Sequence, residues 1–165
     1  MNENNVDISI IITSYNYEKY IDESINSCIN QEYCNLSYEV IVVDDGSTDK
    51  SCFNIQNRNH YLIKKFFRRN SGIESASNYG FNKARGKYVV RLDADDSLKK
   101  NYLSAVSKYI KHDFDFFYSN YFIINQESKI INKIKLPAYS LNEIKNRGDF
   151  LATGTIFRKS KIKQL

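Results

Sequence analysis

Short β-branched runs alternate along the chain with runs of helical periodicity, and this alternation constrains the fold more than any other feature of the sequence. Strand-like runs cover residues 8–13, 38–43, 61–68, 88–92 and 114–119, and helical patterns fill 17–31, 49–57, 72–84 and 100–111 between them. Strands that alternate with helices pair in parallel through right-handed crossovers, with helices on both faces of the sheet. We therefore predict an α/β fold with a mostly parallel sheet.

The last third of the chain departs from this alternation. Residues 121–125 and 130–134 are apolar runs on either side of a polar segment, a pattern that predicts an antiparallel hairpin appended to the sheet. A short helix over 141–146 and a strand over 153–158 follow. The chain has 165 residues, a length that suits one core, so we treat residues 1–165 as a single domain.

Charge is distributed unevenly along the sequence. Residues 1–128 carry 15 basic and 17 acidic side chains, whereas residues 129–165 carry 9 basic and 2 acidic ones, which accounts for the net charge of +5. A basic excess confined to the last stretch argues against nucleic acid as the partner of the whole protein. Peripheral contact with an anionic membrane, contact with an anionic substrate and a solvated lysine-rich surface all remain open for this basic C-terminal stretch.

Cysteine and histidine spacing excludes several kinds of site. Cys28, Cys34 and Cys52 form no C-x-x-C pair, and His60 and His112 are isolated, so we expect neither a thiolate metal site nor a disulfide framework. No apolar run approaches the roughly 20 residues that span a bilayer, and the polar N-terminus lacks the layout of a signal peptide. We expect reduced thiols in a cytoplasmic protein, with any membrane contact peripheral and at the inner face.

Polar side chains follow each predicted parallel strand at the point where it ends. Because ligands of such sheets bind beyond the carboxyl ends of the strands, we expect these residues to converge on one site. They form four groups: Thr13-Ser14-Tyr15, Asp44-Asp45-Gly46-Ser47, Arg69-Asn70-Ser71-Gly72 and Asp93-Ala94-Asp95-Asp96. Two of the groups carry paired carboxylates, which repel one another unless a cation lies between them.

The acidic groups predict a particular chemistry. Asp93 and Asp95 offer hard oxygen ligands within reach of one ion, and such ligands suit Mg²⁺ or Mn²⁺ shared with phosphate groups. A metal held in this way stabilises a diphosphate as a leaving group. Asp113-Phe114-Asp115 has the same spacing, but it opens an aromatic strand, and we expect a structural role for it.

Five ordered segments of the chain resemble the family 2 glycosyltransferases with the GT-A fold, a Rossmann-like α/β fold. The segments are residues 8–16, 39–49, 70–80, 84–88 and 92–96, so the resemblance covers about residues 7–110. It implies an inverting enzyme that transfers a sugar from a nucleotide-diphosphate donor, often a UDP-sugar. The expected acceptor is a glycan or a lipid-linked glycan, as in the assembly of surface polysaccharides.

The resemblance also implies roles for the residues that would hold the nucleotide. Thr13 and Tyr15 would lie along it. The Asp45 carboxylate would accept a hydrogen bond from the base, with Asp44 beside it. Arg69 and the turn that ends at Gly72 would close over the base or the ribose.

The same resemblance implies which residues would bind the metal and which would line the acceptor side. Asp93 would contact the ribose or the metal, and Asp95 would coordinate Mn²⁺ or Mg²⁺ at the donor diphosphate. Asp96 is a secondary metal ligand. The segment Thr153-Gly154-Thr155 is similar to the strand that lines the acceptor side.

One departure from the family pattern concerns catalysis. An inverting transferase needs a general base to deprotonate the acceptor hydroxyl. The family supplies it beyond the Gly-Thr strand, and residues 156–165 contain no acidic side chain. We therefore expect a domain truncated before its acceptor-binding segment, with the base beyond Leu165 and sugar transfer slow or absent. Apolar surface exposed by such a truncation would favour a homodimer.

Other functions fit the sequence less well. A nicotinamide-binding domain needs a G-x-G-x-x-G loop after the first strand, where this chain has no glycine. A nucleic-acid-binding protein would expose aromatics among Lys and Arg, whereas the aromatics here follow core patterns. A nucleotidyltransferase shares the metal, the carboxylates and the nucleotide, and a catalytically silent fragment that binds a nucleotide-sugar also remains an alternative.

Overall fold

The computed structural model describes residues 6–146 and 153–162, and its elements follow the predicted order. The strands are β1 Ile8–Ser14, β2 Tyr38–Asp44, β3 Ile63–Phe67, β4 Tyr88–Asp93, β5 Phe116–Phe117, β6 Tyr121–Ile124, β7 Ile130–Ile134 and β8 Ile156–Arg158. The helices are α1 Ile21–Ile29, α2 Ser51–Gln56, α3 Ile73–Lys83, α4 Tyr102–Ile110 and α5 Leu141–Asn146, and a 3₁₀ turn spans Lys159–Lys161. The strand predicted over 114–119 is therefore shorter than expected.

The main sheet has six strands in the order β3-β2-β1-β4-β8-β5. The first four pair in parallel, and β8 pairs antiparallel with both β4 and β5. The predicted α/β class with a mostly parallel sheet is confirmed. The hairpin of β6 and β7 is a separate two-stranded sheet rather than an extension of the main one.

Apolar layers on both faces of the sheet explain why its central strands are rich in Ile and Val. Every residue of β1 is buried. Its alternate side chains enter two clusters, one under α1 and α4 and the other under α3. Gly80 in α3 lies directly over Ile11, where an added Cβ would collide with the isoleucine side chain. This glycine lets α3 approach the sheet closely, which fixes the position of the helix N-terminus near the strand ends.

A buried ion pair stabilises the opposite edge of the sheet, where the parallel strands begin. The Glu39 carboxylate accepts hydrogen bonds from Ser9 Oγ at 2.7 Å, Lys64 Nζ at 2.7 Å and the Arg85 backbone N–H at 2.8 Å. Burial favours the neutral acid, but the hydrogen bonds from Lys64, Ser9 and Arg85 outweigh it and lower the pKa of Glu39. The charged form of Glu39 therefore belongs to the native state.

The second Asp-x-Asp sequence has the structural role that was expected of it. Arg158 on β8 donates to Asp113 Oδ1 and to Asp115 Oδ1, each at 2.8 Å, and so ties β8 to the segment before β5. The basic residues that follow lie against the start of β4, because the Lys159 N–H donates to the Lys87 carbonyl at 2.9 Å. Within the described part of the chain, no helix is long and apolar enough to cross a membrane.

Candidate functional site

The carboxyl ends of β2, β1 and β4 lie side by side, and they bring the predicted polar groups to one edge of the sheet. In the parallel registers Ser14 pairs with Asp44, and Thr13 pairs with Asp93. Because neighbouring strands are about 4.8 Å apart, the Asp44 and Asp93 backbones flank β1 at roughly 10 Å from each other. The predicted convergence of the strand ends is therefore observed.

Asn16 joins the loops that follow β1 and β2. It has a positive φ of 61°, and its Oδ1 accepts hydrogen bonds from the backbone N–H groups of Thr48 at 2.8 Å and Asp49 at 3.3 Å. Its own N–H donates to Ser47 Oγ at 3.0 Å. Asn16 directly precedes the helical pattern of residues 17–31, but α1 begins only at Ile21. Its observed role is to hold the two loops together beside the exposed ring of Tyr15, which is 45% accessible.

Asp44 and Asp45 are both buried but have different partners. Asp44 closes the turn after β2: its Oδ1 accepts from Ser47 Oγ at 2.5 Å and its Oδ2 from the Ser47 N–H at 3.0 Å. Asp45 Oδ2 instead accepts the backbone N–H groups of Ser71 at 3.0 Å and Gly72 at 2.8 Å. Asp45 Oδ1 is buried and has no hydrogen-bond partner among the described residues.

The turn that precedes α3 is packed tightly against the end of β2. A Cβ on Gly46, which has a φ of +79°, would lie 2.7 Å from the Asn70 backbone nitrogen. Gly72 has a φ of +90° and begins α3. Arg69 in the same turn is exposed. The guanidinium of the preceding Arg68 instead packs over the Tyr79 ring, 4.7 Å from its centroid. Arg69 is thus the arginine of this pair that faces solvent at the site edge.

The end of β4 carries the aspartates predicted to bind ribose and metal. Arg91 Nη2 forms a close ion pair with Asp93 Oδ1. The Asp93 backbone N–H donates to Thr153 Oγ1 at 3.1 Å, and the Thr153 side chain also hydrogen-bonds to the Asp96 side chain. Asp95 is exposed. Contacts with Arg91 and Thr153 therefore hold Asp93 and Asp96 in place, whereas the Asp95 carboxylate faces solvent.

Two pKa shifts follow from the closeness of these carboxylates to one another and to Tyr17. Burial raises the pKa of Asp96, and the negative charges of Asp95 and Asp93 raise it further, against the lowering effects of Thr153 and Arg91. The charge of Asp95 also raises the pKa of Tyr17, with burial and the other two aspartates adding to the effect. Tyr17 therefore lies near the acidic group, although its only signal in the sequence is its place in a helical pattern.

Buried polar atoms without partners concentrate at this edge. In residues 6–146 and 153–162 they are Thr13 Oγ1, Ser14 Oγ, Asp45 Oδ1, Ser77 Oγ and Arg91 Nε. A buried donor or acceptor that is left unsatisfied costs about 1–3 kcal/mol. Four of the five belong to the ends of β1, β2 and β4, and Ser77 lies in the second turn of α3, whose N-terminus adjoins the same edge. Unsatisfied buried polar atoms of this kind make the sheet edge a candidate binding site.

The acidic group fits a divalent metal that is shared with a ligand. In the described ranges, no three His, Cys, Asp or Glu side chains converge closely enough to enclose a metal ion by themselves. Mg²⁺ in phosphate-processing sites uses only one or two carboxylates together with substrate phosphates and waters. The mutual repulsion of Asp93, Asp95 and Asp96 and the exposure of Asp95 agree with such a partial ligand set.

A cavity of about 750 Å³ lies elsewhere, between α4 and β5, and it is lined mainly by aromatic rings such as Tyr109, Phe117 and Tyr139. It meets the predicted residues only at Gly154, whose carbonyl accepts a hydrogen bond from Tyr102 Oη at 2.5 Å. Among the residues that the structure describes, none with a charged side chain lines it. The residues predicted to bind nucleotide and metal therefore lie at the sheet edge and do not line this cavity.

Comparison with known proteins identifies the family. The family model described as "Glycosyl transferase family 2" matches residues 9–164. The chain belongs to glycosyltransferase family 2. The family resemblance found in the sequence is thereby confirmed.

Solved structures support the GT-A assignment. S. aureus TarS (residues 1–349) in complex with UDP-GlcNAc aligns with a TM-score of 0.74 and 26% identity over 94% of this chain and 46% of TarS. The mannosyltransferase PcManGT from Pyrobaculum calidifontis, in complex with GDP-Man and Mn²⁺, aligns with a TM-score of 0.61 and 22% identity. That alignment covers 73% of this chain and 36% of PcManGT, and it supports the fold.

Curated relatives are longer proteins. The chain is 36% identical over 132 residues to the Escherichia coli enzyme WfgD, a UDP-Glc:alpha-D-GlcNAc-diphosphoundecaprenol beta-1,3-glucosyltransferase. It is 32% identical over 123 residues to the glycosyltransferase GlyA of Streptococcus pneumoniae. These alignments cover 79% and 72% of this chain but only 51% and 17% of the relatives. The chain therefore spans about half of WfgD and about a sixth of GlyA.

Proposed function

We propose that this chain provides the donor-binding site of an inverting glycosyltransferase, which moves a sugar from a UDP-sugar to a glycan or lipid-linked acceptor with the help of Mn²⁺ or Mg²⁺. The observation that carries the proposal is the convergence, at one sheet edge, of a buried carboxylate with a free oxygen and a group of mutually repelling aspartates. The first suits a base N–H, and the second suits a metal at a diphosphate.

The nucleotide assignment follows from the partners of each side chain. Asp45 Oδ2 is occupied by the turn before α3, so Oδ1 is the acceptor left for an imide N–H of uracil. Tyr15, which directly follows β1, offers an exposed ring, and the Thr13 hydroxyl has no partner among the described residues. Arg69 and Gly72 lie on the turn that would cover the base, while Asp44 shapes the turn on the opposite side.

The metal assignment rests on the same reasoning. Asp95 would hold Mn²⁺ or Mg²⁺, with Asp96 as the secondary ligand, and Asp93, already paired with Arg91, would face the ribose or the metal. When bound, the metal would neutralise charge on the departing diphosphate. In the reaction the bond between the anomeric carbon and the diphosphate oxygen breaks, and a bond to the acceptor oxygen forms on the opposite face. The acceptor proton passes to a general base, a role that the proposal gives to none of the residues named here.

The names of the similar proteins support a UDP-sugar and a lipid-linked acceptor. TarS was crystallised with UDP-GlcNAc, and the name of WfgD specifies a UDP-glucose donor and a diphosphoundecaprenol-linked acceptor. For this chain both are part of the proposal. The runner-up is a fragment that binds the nucleotide-sugar without transferring it, which would follow if the base is supplied from outside these residues.

A transfer assay separates these functions. The chain is incubated with Mn²⁺, a panel of UDP-sugars and a polyprenyl-diphosphate-linked sugar, and the products are identified by mass spectrometry. Transfer of the sugar with inversion supports the full proposal, whereas binding without turnover supports the fragment. A product that carries the nucleotide phosphate would indicate a nucleotidyltransferase. Asp95→Asn should abolish transfer, and Asp113→Asn, in the structural Asp-x-Asp sequence, is the matched control.

A further inference from the structure

The β6–β7 hairpin is held against the body of the protein at a few points. Ser128 Oγ, in the hairpin turn, hydrogen-bonds to the Glu23 carboxylate of α1 at 2.8 Å. Lys99 Nζ lies 4.1 Å from the centroid of the Phe122 ring. At the base of the hairpin, the Leu136 N–H donates to Asn120 Oδ1 at 2.9 Å. Isolated two-stranded hairpins are marginal in water, so these contacts fix its position.

Three isoleucines on this hairpin are exposed. Ile123 is 40% accessible, Ile130 56% and Ile131 64%. Isoleucine is among the residues most often buried, and the exposure of the adjacent Ile130 and Ile131 in β7 is typical of a segment that contacts a partner. The register shift beside Ile123 and Ile124 helps to expose Ile130 and Ile131, because it interrupts the regular alternation of side chains between the two faces.

The charges around the isoleucines are mostly positive. Lys129, Lys133 and Lys135 are exposed, and the one acidic residue between 121 and 135, Glu127, is paired with Lys129 at 2.7 Å. Apolar side chains flanked by lysines are typical of elements that lie in the interface of an anionic bilayer. The β6–β7 hairpin carries exposed isoleucines and exposed lysines on one short segment.

The hairpin also lies at the edge of the sheet that carries the candidate site. β5 runs parallel to β4, because both pair antiparallel with β8, so the chain leaves β5 toward the carboxyl ends of the parallel strands. The hairpin turn then contacts Glu23 in the first turn of α1, the helix end that follows the carboxyl end of β1. The hairpin and the site therefore face the same direction.

The basic stretch that the sequence singled out faces the other way. Lys159 is bound through its N–H to the Lys87 carbonyl and through Nζ to the Ala84 carbonyl, both at the start of β4. At about 3.3 Å per residue, the length of β4 separates this stretch from the site edge by roughly 17 Å. A membrane bound there would lie on the opposite side from the site.

We propose that the β6–β7 hairpin, rather than the basic C-terminal stretch, docks on an anionic lipid bilayer and turns the site edge toward it. The advantage of this orientation rests on the proposed function, because a lipid-linked acceptor would present the sugar that reacts at the membrane surface. The docking itself depends only on the hairpin's isoleucines and lysines. The two can therefore be tested separately.

The test is co-flotation of the full chain with vesicles of phosphatidylcholine alone or of an equimolar mixture with phosphatidylglycerol. The wild-type chain should float with the anionic vesicles only, and salt should weaken the binding. Ile130→Ser/Ile131→Ser should weaken it at least tenfold. Lys133→Gln/Lys135→Gln should weaken it by about 25-fold, since each lysine near an anionic surface contributes about fivefold. Lys159→Gln/Lys161→Gln removes the same charge at the other edge and should change it less than twofold.

Three results of the flotation test would overturn the docking proposal. It fails if the wild type does not float, or if the Lys159/Lys161 variant loses as much binding as the Lys133/Lys135 variant. It also fails if the isoleucine variant changes only the oligomeric state, which would assign the surface to a second copy of the chain. Thermal melts and UDP affinity of each variant should match the wild type. Flotation without any UDP binding would retain the docking and reject the proposed function.

Discussion

Replacing Asp45 separates the structural role of its carboxylate from its proposed contact with the base. Asp45→Ala removes the acceptor of two backbone N–H groups, those of Ser71 and Gly72. Hydrogen bonds to a charged group contribute about 1.5–3 kcal/mol each, and partial exposure of this turn puts the loss at about 2–4 kcal/mol in total. The melting temperature should fall by roughly 4–16 °C for a domain of this size.

Asp45→Asn keeps an amide oxygen for those two N–H groups, so the variant should fold. Its NH₂ group then occupies the position of Oδ1, the oxygen that has no partner among the described residues. A donor facing the imide N–H of uracil replaces an attraction with a repulsion. A loss of about 3 kcal/mol corresponds to roughly 100-fold weaker UDP binding, with or without metal.

Calorimetric titration with UDP and thermal melting together test this reasoning. The expected pattern is a folded Asp45→Asn variant with greatly weakened UDP binding, beside an Asp113→Asn control that binds like the wild type. The reasoning is refuted if folded Asp45→Asn binds UDP within threefold of the wild type. In that case Asp45 would serve only to hold the turn before α3.

Three further predictions address the metal, the packing of the turns and the buried ion pair. Asp95→Asn should abolish the gain in UDP affinity that Mn²⁺ provides while leaving metal-free binding unchanged, as measured by calorimetry with and without the ion. Gly46→Ala should destabilise the fold by about 2–4 kcal/mol in urea unfolding, because left-handed backbone alone costs about 1–2 kcal/mol and the new Cβ would lie 2.7 Å from Asn70 N. Gly72→Ala, which meets nothing closer than 3.7 Å, should show only the smaller cost. Because the pKa of Glu39 is lowered by folding, its stabilising effect is present above the unfolded pKa of about 4.3 and is lost as the pH falls through the lower folded value. Unfolding of Glu39→Gln should therefore depend less on pH in that range, and an unchanged pH dependence would contradict the assignment.

Local sequence patterns were sufficient to predict most of the elements and the edge at which the polar residues meet. The β-branched runs of β1, β2 and β4 are buried on both faces, and this produces continuous apolar segments that are readily recognised. The residues that follow such strands must lie at the carboxyl edge of a parallel sheet. That rule predicts from the sequence alone that Asp45 and Asp95 lie at the same edge.

Contacts between residues distant in sequence could not be predicted in this way. The hydrogen bond of Thr153 with Asp96 depends on β8 inserting beside β4, and no local periodicity encodes that pairing. The ion pair of Arg91 with Asp93 could have been suspected, since residues two apart on a strand share a face. The separate hairpin sheet depends on its tertiary contacts with Glu23 and Lys99.

The central claim is that the carboxyl edge of this sheet binds a uridine diphosphate together with a divalent cation. Titration of the wild-type chain with UDP in the presence and absence of Mn²⁺, with ADP as the comparison nucleotide, tests it most directly. The account predicts a single UDP site that Mn²⁺ strengthens and that ADP fills much more weakly. No measurable binding of UDP in Mn²⁺, or equal binding of ADP, would contradict it.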